Sequence, residues 1–297
     1  MQEYKKMTFG LFLLAVLMET MWGVSFVSTK VLLNAGLNPS QIYIMRFGIA
    51  YLCLAMLTRT HFKFGSWKDE ILFMLCGMAG GSMYFITENT AIQHTLVSNV
   101  GLIISVCPLL TAILTKIFYR HEKIRRSIII GSLIAFVGVA FVIYNSSFKL
   151  EISPVGDLLA LLGALSWSIY SIALKSFEDG RYPIMVVTRK VFFYGIVTSI
   201  PFAFIMHSDI SLSIFTDYKV ISNILFLGLG ASMSAFLIWN YLVKKVGALN
   251  ISNFLYLGPI ITLVSSAIFL GERITLIGYI GCVLILSGVI LGEKLKN

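Results

Sequence analysis

The sequence predicts an all-α integral membrane protein with ten transmembrane helices in two inverted five-helix repeats, residues 1–147 and 148–297. Three observations carry this expectation. First, the chain is 58% hydrophobic and only 12% charged, about half the charged share of a soluble domain. Second, its mean hydropathy is +0.88, and its apolar runs recur at the roughly 20 residues that cross a bilayer. Third, one stretch occurs twice, as Met74 to Ile124 and as Leu225 to Ile274. At an offset of 151, Gly77 falls on Gly228, Phe85 on Phe236, Asn89 on Asn240, Asn99 on Asn250, Pro108 on Pro259 and Thr111 on Thr262. After the loss of one residue, Glu122-Lys123-Ile124 matches Glu272-Arg273-Ile274, Gly131 matches Gly281 and Gly138 matches Gly288. Proline and asparagine are uncommon inside apolar helices, so their coincidence at a fixed offset marks an internal duplication.

The expected spans run 8–30, 40–58, 70–92, 98–118 and 127–145 in the first half. In the second half they run 156–177, 184–206, 222–243, 250–270 and 275–292. Lys5 and Lys6 precede the first apolar run, as in a signal peptide. That run continues to about Ser28 with no A-x-A-like cleavage site after it, so it is read as a retained membrane helix. Asn38-Pro39-Ser40, Ser153-Pro154 and Tyr182-Pro183 open the second, sixth and seventh spans. Proline suits a first helical turn because its missing N–H has no helical partner there. Trp22 and Lys30 in the first span match Trp167 and Lys175 in the sixth. Pro39 and Arg46 in the second match Pro183 and Arg189-Lys190 in the seventh.

Two homologous halves with an odd number of spans must lie in opposite orientations. With the N-terminus inside, 16 of the 23 basic residues fall on the inside and four (Lys30, Lys149, Lys219, Arg273) on the outside, while Arg46, Arg189 and Lys190 lie within spans. This bias places a multi-pass protein in the cell membrane with both termini cytoplasmic. The +9 formal charge is scattered over short loops and forms no basic stripe, which argues against a nucleic-acid partner. Cys53, Cys76, Cys107 and Cys282 sit in apolar runs without metal or redox spacing, and no cofactor is expected.

Trp22-Gly23-Val24-Ser25-Phe26, Arg46-Phe47, the stretch from Asn99 to Pro108, its copy from Asn250 to Pro259, and Gly271-Glu272-Arg273 together resemble the EamA family of the drug/metabolite transporter superfamily. The resemblance covers both halves in order. It implies ten helices around a central cavity and export of small metabolites, often amino acids or toxic analogues. Tyr119-Arg120-His121-Glu122 departs from the pattern that Leu270-Gly271-Glu272 keeps.

Ionisable groups inside a membrane are costly and serve as site candidates by default. Glu19 lies mid-helix on one face with Gly23, Phe26 and Lys30. It is the leading candidate for proton coupling, with a structural, hydrogen-bonded carboxyl as the alternative. Glu88 shares a face with Tyr84, Gly81 and Gly77 near the outer end of its span, where solvation is its first reading and proton coupling its second. Arg46 lies about 10 Å into the bilayer, seven residues after Pro39. It suits a substrate carboxylate, a snorkelling anchor or a tie between helix ends. Trp22 and Trp167 either wall the cavity or pack helices. Asn99, Asn250 and Asn253 share a face with Tyr256 and fit either pocket lining or interhelical hydrogen bonding. Pro108 and Pro259 break helices at matched positions, freeing the carbonyls of Ile104 and Leu255. Such paired interruptions point to a midplane site. The glycines at 131, 138, 281 and 288 suit close helix packing or a homodimer contact.

The expected function is secondary transport of a small molecule by alternating access, with proton coupling as one energy source. An intramembrane enzyme is the first alternative, but the chain holds no HExxH, GxSxG or Walker-type motif. A non-transporting scaffold is the second, and it leaves the inverted duplication without a reason.

Overall fold

The computed structural model describes residues 7–58, 65–95, 97–119, 126–146, 153–177, 180–206, 212–270 and 274–294. The side chain of Asn99, the divergent Arg120-His121-Glu122, the matching Gly271-Glu272-Arg273, and Lys5 and Lys6 lie outside this description. All regular structure among the described residues is helical. In chain order the helices are α1 (Phe9–Asn34), α2 (Pro39–Leu57), α3 (Trp67–His94), α4 (Val97–Ile104), α5 (Cys107–Phe118) and α6 (Arg126–Ser146). There follow α7 (Pro154–Phe177), α8 (Ile184–Ile205), α9 (Tyr218–Val246), α10 (Ala248–Ser252), α11 (Leu257–Leu270) and α12 (Leu276–Lys294).

Among the described residues, seven helical stretches are each long and apolar enough to cross a membrane. They are α1, α2, α3, α7, α8, α9, and the run from Ala248 to Ser265. Shorter apolar helices cover Cys107–Phe118, Arg126–Val142 and Leu276–Gly292. Large apolar side chains such as Leu133, Val137, Phe204, Ile268 and Val283 point outward, while Arg46, Lys190, Glu19 and Glu70 are buried. That polarity reverses a soluble protein's and suits hydrocarbon surroundings, where only the backbone bonds of helices or closed barrels are satisfied.

Local chemistry fixes the helix starts. Asn38 and Gln41 form a reciprocal capping box ahead of Pro39 (2.8 and 2.9 Å). The Ser66 hydroxyl caps α3 and Ser153 caps α7. The expected single span at 98–118 is two helices with a turn at Ser105-Val106. Pro108 lacks the N–H that would bond Ile104, and the chain closes a tighter Val106-to-Ile103 bond instead (3.1 Å). In the second half Asn253–Tyr256 is a 3₁₀ turn between α10 and α11, directly before the turn containing Pro259.

The third and eighth expected spans share a feature that no periodicity announced. α3 carries a π-helical segment at Met78–Met83 and α9 carries one at Phe226–Ser234. Wide π turns free carbonyls from regular partners and often mark functional positions.

Residues matched by the duplication meet in space. Trp22 touches Trp167, with ring centroids 5.1 Å apart. Phe85 lies 6.2 Å from Phe236. The matched glycines meet crosswise: a Cβ on Gly138, whose counterpart is Gly288, would fall 2.7 Å from the Gly281 carbonyl, and Gly131, whose counterpart is Gly281, backs onto Gly288. These glycines are used within the chain, to seat α6 against α12.

Candidate functional site

Four helices build a packed aromatic cluster (the chamber) around the repeat mates Trp22 and Trp167. The Trp239 ring is 5.6 Å from Trp22 and 5.2 Å from Trp167. Tyr84 lies 5.0 Å from Trp167, and Phe236 lies within 6 Å of both tryptophans. The Trp22 indole N–H donates to the Ala231 carbonyl inside the α9 π segment (2.9 Å), so the wide turn supplies the acceptor that fixes this ring. The indole nitrogens of Trp167 and Trp239 are buried with no partner among the described residues.

Arg46 is 1% exposed, which removes the snorkelling reading. Its Nε donates to the Ser232 hydroxyl of the same π segment (2.8 Å), and its guanidinium lies 4.3 Å above the Phe85 ring. Arg46 therefore ties α2 to α9, yet its Nη2 is buried without a partner among the described residues. Glu88 is buried as well, not solvated as its place near the span end suggested, because the α3 turn carrying it packs on α7. Its Oε1 accepts from the Tyr84 phenol (3.1 Å). Arg46 and Glu88 thus flank the Tyr84-Phe85 pair, and each lies in the other's electrostatic field.

Glu19 sits one turn before Trp22 on α1 and is 2% exposed. Its Oε1 has no partner among the described residues, and its Oε2 lies 3.8 Å from where a Cβ on Gly258 would project. Asn253 accepts from the Ser132 hydroxyl of α6 (3.2 Å), and Tyr256 is fully buried on the same turn. Asn250 stands apart, with its amide donating to Val246 in the preceding turn (2.6 Å). The structure therefore brings Trp22, Trp167, Arg46 and Glu88 together, with Glu19 next to them. It puts Asn253 and Tyr256 in a neighbouring layer against α6.

The matched amides differ. Asn240 is saturated: its Oδ1 accepts from Tyr170 (2.6 Å) and its Nδ2 donates to Thr188 (2.7 Å). Asn89 is equally buried, and neither atom of its amide has a partner among the described residues.

Sequence reasoning missed Trp239, Tyr84 and Ser232. Trp239 had a signal, because the offset of 151 that pairs Phe85 with Phe236 also pairs Glu88 with Trp239. It also missed a charged cluster where α3 and α8 begin. Lys190 pairs with Glu70, both buried, and Glu70 also accepts from Tyr194 (2.6 Å) and the Gly65 N–H (2.7 Å). Beside it, Asp69 accepts from Arg181 and from the Tyr182 phenol, each at 2.9 Å. Burial first, and then the neighbouring Asp69 carboxylate, pushes the Tyr182 phenol above its usual range, so it remains a donor.

Comparison with known proteins fits this architecture. The EamA-like transporter family matches residues 9–144 and again residues 154–292. This chain belongs to the EamA-like transporter family. It is accordingly a multi-pass membrane transporter of small molecules and not an enzyme. An uncharacterized transporter of Archaeoglobus fulgidus is 30% identical over 91% of this chain and 94% of its own. A probable amino-acid metabolite efflux pump of Escherichia coli is 23% identical over 93% and 92%. A probable terminal-alkyne amino-acid exporter of Streptantibioticus cattleyicolor is 24% identical over 93% and 91%. One solved crystal structure shares the fold, with a TM-score of 0.78 at 18% identity over 96% of this chain and 97% of that one.

Proposed function

We propose that this EamA-like transporter exports zwitterionic, amino-acid-like metabolites from the cytoplasm across the cell membrane by alternating access. Ten spans form two inverted five-helix halves, residues 1–147 and 148–297, with both termini cytoplasmic. The contact between the repeat mates Trp22 and Trp167 supports this arrangement: a residue that touches its own counterpart lies near the pseudo-two-fold axis, where inverted-repeat transporters bind substrate.

The observation that carries the substrate reading is Arg46, fully buried, held through Nε and stacked on Phe85, with Nη2 unpartnered among the described residues beside the tryptophan cluster. A guanidinium in that state suits a carboxylate. Glu88, which accepts from Tyr84, suits an ammonium, and the rings of Trp22, Trp167 and Trp239 suit an apolar side chain. Two relatives bear names that specify amino-acid substrates, which agrees with such a ligand.

The test is counterflow in proteoliposomes with labelled phenylalanine, competed by phenylalanine amide and by N-acetylphenylalanine. Free phenylalanine should compete and both blocked forms should fail, because each lacks one charge. Arg46→Gln should abolish that discrimination against the amide. Competition by the amide equal to that of the acid would remove Arg46 from carboxylate recognition. Glu19, a buried carboxyl beside the chamber, is the proposed proton carrier. Glu19→Gln should then keep counterflow and lose flux driven by a pH gradient, and unchanged gradient-driven flux would take Glu19 out of the mechanism.

A further inference from the structure

The charged cluster at the start of α3 and α8 takes no part in the substrate reading. Glu70 and Lys190 are 5% and 1% exposed, respectively, and Glu70 collects two further donors. In the outer pair Arg181 is half exposed while Asp69 is largely covered, and Arg181 also donates to the Ser176 carbonyl at the end of α7 (2.9 Å). Beneath them Phe73 of α3 stacks on Phe177 of α7 (4.2 Å, 9° between planes), with Tyr182 edge-on at 5.2 Å. The Lys190 ammonium lies 4.8 Å from the Phe73 ring. The Glu70–Lys190, Glu70–Tyr194, Asp69–Arg181, Asp69–Tyr182 and Phe73–Phe177 contacts join α3, from the first repeat, to the α7–α8 corner of the second. A cavity lies directly behind Phe177 and Tyr182, and Val187, Asn240 and Lys244 are among the residues that line it.

We infer that the Glu70–Lys190 and Asp69–Arg181 pairs over the Phe73–Phe177 stack form a latch between the repeats, which closes the cytoplasmic route to the chamber and must part for substrate to enter. Two features suit a latch better than a permanent brace. Buried ion pairs add little net stability over apolar packing of the same shape, yet they specify one arrangement. Their charges also gain hydration on separation, so opening toward water costs less than tearing an apolar seam. The equivalent basic residue of the first repeat, Arg46, donates to the Ser232 hydroxyl and stacks on Phe85, with no carboxylate at ion-pair distance among the described residues, so in this structure the carboxylate-latched end is the one at α3 and α8. The inference rests on the alternating-access reading, and the experiment separates the two.

Reporter cysteines are placed one at a time in purified protein whose native cysteines are replaced by alanine. Val187→Cys is buried behind the latch, and Leu37→Cys is buried at the opposite end of the bundle. Each is labelled with a membrane-impermeant maleimide. In the Glu70→Gln, Lys190→Met double variant, labelling at the Val187 reporter should accelerate about tenfold as the population shifts from closed to open. Labelling at the Leu37 reporter should slow. The swapped pair, Glu70→Lys with Lys190→Glu, should restore protection. Should the double variant fail to fold, Arg181→Gln tests the exposed pair alone and should move both reporters in the same directions by less. No acceleration at the Val187 reporter in any folded variant overturns the latch, as does equal acceleration at both reporters. Acceleration at Val187 with Leu37 unchanged supports the latch and tells against reciprocal movement of the two halves.

Discussion

Asn89 and Asn240 pose the residue-scale question most sharply, because the duplication makes them equivalent and the structure treats them differently. Asn240 spends its amide on Tyr170 and Thr188, while Asn89 is buried with both polar atoms unpaired among the described residues. A buried amide without partners costs stability, and replacing it by an apolar side chain of similar shape recovers that cost. Asn89→Leu is therefore expected to raise detergent-solubilised stability by about 1 kcal/mol, the scale of polar contacts within membranes. Asn240→Leu should lower it by about 1–2 kcal/mol by taking the acceptor from the buried Tyr170 phenol and one donor from Thr188, whose hydroxyl still donates to Ile184. Thermal unfolding of the two variants checks the contrast, and equal shifts would show that the amides do equal structural work. Residue identity alone could not separate them, because whether an amide is saturated depends on groups 52 and 70 positions away. The same limit hid Glu70. Its partner Lys190 was noted only as a basic residue inside a span, and nothing local in the sequence joins the two.

Elements were more legible than their details. Proline, asparagine and serine at helix starts signalled the caps at Asn38 and Ser153, since capping chemistry is confined to a few neighbouring residues. The interruption before Pro108 follows from its missing N–H. The π segments in α3 and α9 were not legible, because a one-residue widening leaves hydropathy unchanged and only the small residues at Gly80-Gly81-Ser82 and Ala231-Ser232 hint at it. Glycine spacing pointed to close packing without saying where, and the structure locates it between α6 and α12. There a Cβ on Gly138 meets backbone at 2.7 Å, which cannot move aside as a side-chain tip could. Gly138→Ala should thus destabilise the protein by about 1–3 kcal/mol, the usual cost of overpacking. Gly48→Ala in α2 has no atom within 4 Å of the new methyl group. It should be neutral, or stabilising by up to about 1 kcal/mol from helix propensity. Melting curves for the pair isolate contact from propensity, and matching losses would contradict the packing assignment.

At the scale of the whole molecule, the duplication carried most of the information. A fixed offset between two halves of five apolar runs implies a pseudo-two-fold axis, and contacts such as Trp22 with Trp167 are what such an axis would produce. Orientation in the membrane rests on different physics, the retention of basic loops in the cytoplasm. It makes a prediction that the fold by itself does not. Ala35, between α1 and α2, and Lys68, at the start of α3, are both exposed, and α2 lies between them. In intact cells expressing a cysteine-free parent, Ala35→Cys should react with an impermeant maleimide added outside, and Lys68→Cys should react only after permeabilisation. The reverse pattern would invert the whole assignment, moving the Glu70–Lys190 cluster to the outer face and turning a latch on substrate entry into one on release. Reaction of both sites from outside would mean that α2 does not cross the bilayer, and the five-span half would then lose its odd count, the premise from which inversion of the repeats follows.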